Sequence, residues 1–243
     1  MENIKGLIWD YGGTIDSRGV HWSHVLRRGW QQAGIDADED AFRSAYVEAE
    51  RELARNRHIL PNHTYLDLLL IKARLELQYF GYTEPDLEDK AKIIADYCYG
   101  QARESIEEAR PVLETLSKKY PMVMVSNFYG NLKAVLEDFD LLKYFPAVVE
   151  SALVGVRKPN PEIFRLGLSA LSSLTTPNSS LLTPNSSLVI GDSFSKDILP
   201  ATQLGCPTVW LDAGQPWQPD DSAPQLPPTT RRITNLAALL NLL

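Results

Sequence analysis

Cysteine is scarce in this chain: Cys98 and Cys206 are the only two in 243 residues, far apart and in no CxxC spacing. A disulfide framework is therefore not expected, and the usage fits a reducing compartment. Positive charge is short as well, with 24 Lys and Arg against 31 Asp and Glu, a net charge of -7. Without a basic stripe to neutralise phosphates, no nucleic-acid partner is expected. An anionic ligand has to be met by local cations or a metal instead of by the global field. No apolar run approaches the ~18 residues of a bilayer span, and the N-terminus lacks the basic and apolar regions of a signal peptide. The expectation is a soluble, cytoplasmic protein with no membrane partner.

What is present is a chain of 44% hydrophobic residues, long enough to bury a core and to divide into one large and one small domain. Ile4–Trp9 reads as a short buried strand. Helical periods then occupy Ser23–Gly34, Asp38–Arg57, Thr64–Phe80 and Asp86–Tyr99, with Ser23 and Thr64 as N-caps and Gly34, Gly81 and Gly100 as stops. No strand pattern interrupts them, so an all-helical insert over 17–104 is expected within a core made of 1–16 and 105–243. From Pro111 onward, strands at Met122–Val125, Val148–Glu150, Leu188–Ile190 and Thr208–Leu211 alternate with helices. Those helices are Leu132–Phe139, Pro161–Ser172, Lys196–Leu204 and a terminal Leu236–Leu243. Alternation of this kind predicts an α/β fold, a Rossmann-like doubly wound parallel sheet with right-handed crossovers. Asp212–Pro228 reads as a surface loop. Thr176–Leu182 is followed at once by a near copy, Thr183–Leu188, too short for a solenoid repeat and read as a lengthened helix-to-strand loop.

In an open parallel sheet the ligand lies beyond the carboxyl ends of the strands. The residues following each strand are therefore the candidates. Asp10 follows the first, Ser126 and Asn127 the second, Lys158 the third, and Asp192 the fourth, with Asp197 five residues on. Such a set can surround a phosphate and a divalent metal. Asp10 is a carboxylate able to attack phosphorus and form an aspartyl-phosphate. Asp10, Asp192 and the backbone carbonyl of Gly12 offer the hard oxygen ligands that Mg²⁺ takes, and Asp197 can orient a metal-bound water from behind. Ser126, with nearby backbone N–H groups at Gly13 and Asn127, can bind phosphate oxygens. Lys158 can offset the charge between nucleophile and phosphate. Gly12 and Gly13 allow a sharp turn where the phosphate approaches the backbone. Each short string taken alone is a common turn or cap; the weight lies in their joint order at successive strand ends.

These motifs resemble those of the haloacid dehalogenase superfamily of hydrolases over nearly the whole chain: IWDYGGTID, VMVSN, VRKPNPEIF and VIGDSFSKDI. The helical insert resembles that family's cap of the type placed between its first two motifs. The resemblance implies a Rossmann-like core and, in most members, Mg²⁺-dependent hydrolysis of a small phosphorylated substrate. By position, Asp10 would be the nucleophile, Ser126 the phosphate ligand, Lys158 the charge balancer and Asp192 a metal ligand.

One residue departs from the pattern. Phosphatases of this family usually carry a second Asp two residues after the nucleophile, where this chain has Gly12. Side chains two apart on a strand point the same way, so that acid reaches the leaving group; without it, general acid–base help of about 10²–10⁴-fold is forfeited. A slow or atypical phosphatase is the expectation, and three alternatives stay open. These are a catalytically silent phosphate- or partner-binding protein, a dehalogenase-like enzyme and a phosphonatase-like enzyme using a cap lysine. Lys72, Lys90 and Lys92 are the cap lysines in question, each expected on a solvated helix face. Asp16 reads as a substitute acid or, more simply, a cap or hinge. His21, His24, Arg27 and Arg28 lie near the entrance of the insert, and Trp22, Trp30 and Tyr46 are expected to pack its core.

Overall fold

The computed structural model describes residues 1, 3–174, 182–214 and 225–243. Six strands, β1 (Gly6–Trp9), β2 (Met122–Ser126), β3 (Ala147–Glu150), β4 (Ser187–Gly191), β5 (Thr208–Leu211) and β6 (Thr230–Ile233), form one sheet in the order β3-β2-β1-β4-β5-β6. Every pairing is parallel. Both faces are therefore covered, and β1, β2, β4 and β5 are buried throughout their length. Leu7, Trp9, Met122 and Met124 point into one core, whereas Ile8, Val123, Val125 and Val189 point into the other. The alternation follows from the two-residue period of a strand.

Between β1 and β2 the chain makes four helices: α1 (Trp22–Gln32), α2 (Glu39–Arg55), α3 (Tyr65–Phe80) and α4 (Asp86–Ser117). After β2 come α5 (Leu132–Asp138), α6 (Ser151–Val154), α7 (Glu162–Ser173) and α8 (Leu199–Gln203). Thr64 caps α3 in a full capping box with Asp67, and Gly81 ends it in the left-handed region at φ 106°. Ser23 is not the cap of α1. The helix starts one residue earlier, and the His21 ring accepts from the Ser23 N–H at 3.2 Å.

The expected stop at Gly100 does not occur. Helix α4 continues through Gly100 and Pro111 to Ser117, a length of about 48 Å at 1.5 Å per residue. Its buried stripe explains why: Ile94, Cys98, Ala102, Ser105, Ile106, Ala109, Val112, Leu113 and Leu116 keep the helical period across the glycine. Burial of that stripe outweighs the ~1 kcal/mol propensity loss at one glycine. The expected helix over 196–204 begins instead as a π-turn, Phe194–Ile198, that passes into α8. The terminal helix is of the 3-10 type over Leu236–Asn241. Strand β6 lacks an apolar run because Arg231 and Arg232 are exposed, and only Thr230 and Ile233 are buried. The first tandem copy lies outside the described residues except for Leu182, as do 215–224 of the expected surface loop. The second copy is not simply loop, since Pro184–Ser186 makes a 3-10 turn and Ser187 and Leu188 begin β4.

Candidate active site

Strand order reverses at β1, whose neighbours are β2 on one side and β4 on the other. A crevice opens beyond the carboxyl ends of the strands at such a point. Asp10 extends β1, its N–H donating to the Ile190 carbonyl at 2.9 Å, so it lies beside the tip of β4 where Asp192 emerges. Ser126 ends β2. The π-turn after β4 takes a Ser193 carbonyl bond from the Asp197 N–H at 2.8 Å and brings that side chain back toward the same tips.

The sequence-distant residues 10, 126, 158, 192 and 197 therefore meet. Lys158 Nζ donates to Asp10 Oδ1 and to Asp197 Oδ1, both at 2.6 Å. Ser126 Oγ donates to Asp10 Oδ1 at 3.0 Å. Carboxylate oxygens of Asp10, Asp192 and Asp197 all lie within 4.8 Å of one another. Asn127 has a different place from the one expected: its side chain holds the Lys158 backbone, Nδ2 donating to the carbonyl at 3.1 Å and Oδ1 accepting from the N–H at 2.8 Å. The side chain is thus committed to the Lys158 backbone, and the Asn127 backbone N–H remains for an anion. Thr14, not singled out in the sequence although it stands in the DYGGTID string, bridges two of the acids. Its hydroxyl is 3.0 Å from Asp192 Oδ1 and 3.3 Å from Asp10 Oδ2.

The electrostatics follow from crowding. Burial works against the Lys158 ammonium, but Asp10 and Asp197 outweigh it and hold the group above the usual lysine range. Burial, then the charges of Asp10 and Asp197, pushes Asp192 well above the usual carboxylate range. Asp197 is raised to about 6 by burial, with Lys158 opposing. Three acids against one lysine leave an excess of negative charge at hard oxygens, and a divalent cation would relieve it. Gly13 permits this crowding. Its φ is +97°, and a Cβ there would stand 2.3 Å from an Asp192 oxygen. Gly12 is different: a Cβ would meet nothing within 4 Å.

A cavity of about 1360 Å³ opens over these groups, with Asp10, Ser126, Lys158 and Asp192 on its floor. Its opposite wall comes from α1, α2 and α3. Of the lysines expected on solvated faces, Lys92 is exposed and Lys90 half-buried, donating to the Ala33 carbonyl at 2.9 Å. Lys72 overturns the expectation, being 4% exposed, paired with Glu50 and part of the cavity wall. His21, Trp22 and Tyr46 also line it. Trp30 stays in the apolar core, edge-on to Phe42. His24 does not line the cavity, and neither do Arg27, which pairs with Glu39 at 3.2 Å, and the exposed Arg28. Asp16 accepts from the Gly13 N–H, Trp22 Nε1 and Tyr65 Oη at 2.7–2.9 Å, tying the turn after β1 to α1 and α3. Burial raises its pKa to about 7 against those three donors.

The family profile of haloacid dehalogenase-like hydrolases matches residues 4–205. The zebrafish (Danio rerio) haloacid dehalogenase-like hydrolase domain-containing protein 3 is 26% identical over 215 residues, 83% of this chain and 82% of that one. The pyrimidine 5'-nucleotidase YjjG of Escherichia coli strain K12 is 36% identical over 102 residues, 42% of each chain. Among solved structures, the magnesium-bound HAD-hydrolase YfnB of Bacillus subtilis superposes with a TM-score of 0.58 at 19% identity, covering 99% of both chains. The match over most of the sequence, with the acids gathered at the switch point of a six-stranded parallel sheet, establishes that this chain belongs to the haloacid dehalogenase-like hydrolase family.

Proposed function

We propose that the protein is a Mg²⁺-dependent hydrolase of a small phosphorylated metabolite that works through a phospho-Asp10 intermediate. One observation carries the reading: Asp10, Ser126, Lys158 and Asp192 meet at the strand ends with the bonding described above. The helical segment 17–104 is read as a cap over a core of 1–16 and 105–243, with the cavity between them as the reaction chamber. The E. coli nucleotidase relative acts on a phosphomonoester, which favours phosphate over other leaving groups.

Asp10, Asp192 and the Gly12 carbonyl would hold Mg²⁺, with Asp197 behind them, and the clustered acids fit that cation. Bound there, Mg²⁺ supplies charge neutralisation for the phosphoryl oxygens. The chain's own residues do the rest. An Asp10 oxygen attacks phosphorus, the ester P–O bond breaks, and the alkoxide leaves with the bonding pair. Lys158 stays charged between Asp10 and Asp197 and offsets the negative charge of the approaching phosphate. Ser126 Oγ and the Asn127 N–H take phosphate oxygens; the Gly13 N–H, expected for the same role, is instead held by Asp16 Oδ1 at 2.7 Å. Water then attacks the phosphoryl group and releases Asp10. With Gly12 in place of an acid, the alkoxide draws its proton from water, so turnover is slow for poor leaving groups.

The carbon–phosphorus alternative requires a cap lysine that can lose its proton to form a Schiff base. Lys72 is the one of the three that lines the cavity. Although burial opposes its charge, Glu50 holds it well above the usual lysine range. Halide displacement needs no metal site, whereas the three-acid cluster is intact. The test is hydrolysis of para-nitrophenyl phosphate, whose leaving group needs little protonation. Mg²⁺-dependent turnover that Asp10→Asn abolishes supports the enzyme; no turnover supports a phosphate- or partner-binding protein.

A further inference from the structure

The wall of the cavity opposite Asp10 carries a built polar cluster that phosphoryl transfer does not use. Glu50 on α2 is bonded to Lys72 on α3, and Tyr129, from the loop after β2, places its hydroxyl 2.9 and 3.0 Å from the two Glu50 oxygens. All three residues line the cavity that holds Asp10. Lys72 Nζ also sits 4.4 Å from the centre of the Tyr46 ring. The Glu50 side chain is 33% exposed, against 5% for Lys72, so Glu50 is the more open member of the pair. Taking an ion pair out of water is expensive, and an apolar pair of similar volume is often as stable or more so. Stability alone therefore gives little reason for charge here, at a cavity wall.

We propose that Glu50, Lys72 and Tyr129 form the subsite for the organic half of the substrate, and that this half is an uncharged, hydroxyl-bearing group such as a polyol or sugar. The assignment rests on the phosphomonoester reading of Asp10 and its neighbours. Its logic is charge balance. Glu50 and Lys72 cancel within the cluster, so the pair itself offers no net cation to a second phosphate or carboxylate. Lys196, on the same cavity lining, is the nearby cation that the bisphosphate arm of the test addresses. A hydroxyl suits the pair because it donates to Glu50 and accepts from Lys72 at once, while Tyr129 Oη holds the Glu50 carboxylate in place. Tyr46 and Trp22 line the same cavity and add aromatic surface for the C–H side of such a group. A wall built to bond hydroxyls discriminates strongly against an analogue that lacks them, because its buried polar groups are left without substrate partners.

The test compares kcat/KM for ribose 5-phosphate and pentyl phosphate, which share a five-carbon skeleton and differ in oxygenation, using the full chain with Mg²⁺. The wild type is expected to favour ribose 5-phosphate by tenfold or more. Tyr129→Phe, which removes a single hydroxyl, and Glu50→Gln, which removes the acceptor charge, are each expected to lower that ratio by about ten- to hundredfold, the range for a hydrogen bond to a charged group. A merely structural role moves both esters together and leaves the ratio where it was, and that result overturns the subsite alone. A higher kcat/KM for ribulose 1,5-bisphosphate than for ribose 5-phosphate overturns the uncharged assignment. Absence of Asp10-dependent turnover on every ester overturns the phosphomonoester reading and the subsite with it.

Discussion

Two adjacent glycines in the turn after β1 have opposite meanings. Gly12 lies outside the left-handed region, with open space where a Cβ would go, so a side chain there meets no steric barrier. Gly12→Asp should restore a proton donor beside the leaving group. Turnover of an alkyl phosphate is expected to rise by at least tenfold, toward the 10²–10⁴ that general acid catalysis can supply. Steady-state kinetics on parent and variant checks this, and equal Mg²⁺-dependent rates would show that the missing acid at position 12 does not limit turnover. Gly13 combines a φ of +97° with an Asp192 oxygen 2.3 Å from where a Cβ would stand. Gly13→Ala is therefore expected to displace Asp192, lowering both activity and Mg²⁺ affinity by tenfold or more, which calorimetric Mg²⁺ titration reads directly. The sequence showed that both positions were glycine and that an acid was missing. It did not show which glycine was conformationally required, because that depends on where Asp192 stands.

At the scale of the element, helix α3 shows what the sequence pattern held and what it concealed. Its buried face runs Tyr65, Leu68, Leu69, Lys72, Ala73, Glu76, Leu77, so Lys72 and Glu76 fall in register with the apolar stripe. That register was the available signal for Lys72, and the all-round apolar composition of the helix obscured it. Glu76 is the less comfortable of the two. Trp30 Nε1 donates to one of its oxygens at 2.9 Å, and the other is buried without a partner. Burial raises its pKa to about 7, with Lys72 opposing. A carboxyl raised from 4.5 keeps its proton in the folded state where the unfolded chain has lost it. Its contribution to stability is therefore complete below pH ~4.5 and is lost as the pH rises to about 7. Glu76→Gln stays neutral throughout. Between pH 5 and 7.5 the wild type is expected to lose about 1–3 kcal/mol more stability than the variant, in urea unfolding at the two pH values. Parallel losses would mean that Glu76 does not titrate in this window. Helix α4 shows the complementary limit: Gly100 and Pro111 are stop signals by local propensity, and only the packing of residues on both sides of them reveals one helix.

At the scale of the whole molecule, the legible part was the order of strand ends. A parallel sheet places the residue after every strand at the same edge, so Asp10, Ser126 and Asp192 could be assigned to one cleft without coordinates. Lys158 lies eight residues past β3 and was reachable only because the third strand was expected to feed the same edge. What stayed hidden was the strand β6, whose middle residues are solvated arginines, and the polar wall of Glu50, Lys72 and Tyr129, assembled from three elements distant in sequence. Spacing within one element cannot reveal a contact among three.

The central claim is that Asp10 becomes phosphorylated during turnover. Rapid acid quenching of the enzyme while it hydrolyses para-nitrophenyl phosphate with Mg²⁺, followed by peptide mass spectrometry, tests it directly. A phosphoryl adduct on the peptide containing Asp10, released by hydroxylamine and absent in Asp10→Asn, is the predicted result. Undiminished hydrolysis by Asp10→Asn, with no adduct on the wild-type peptide, would contradict the account.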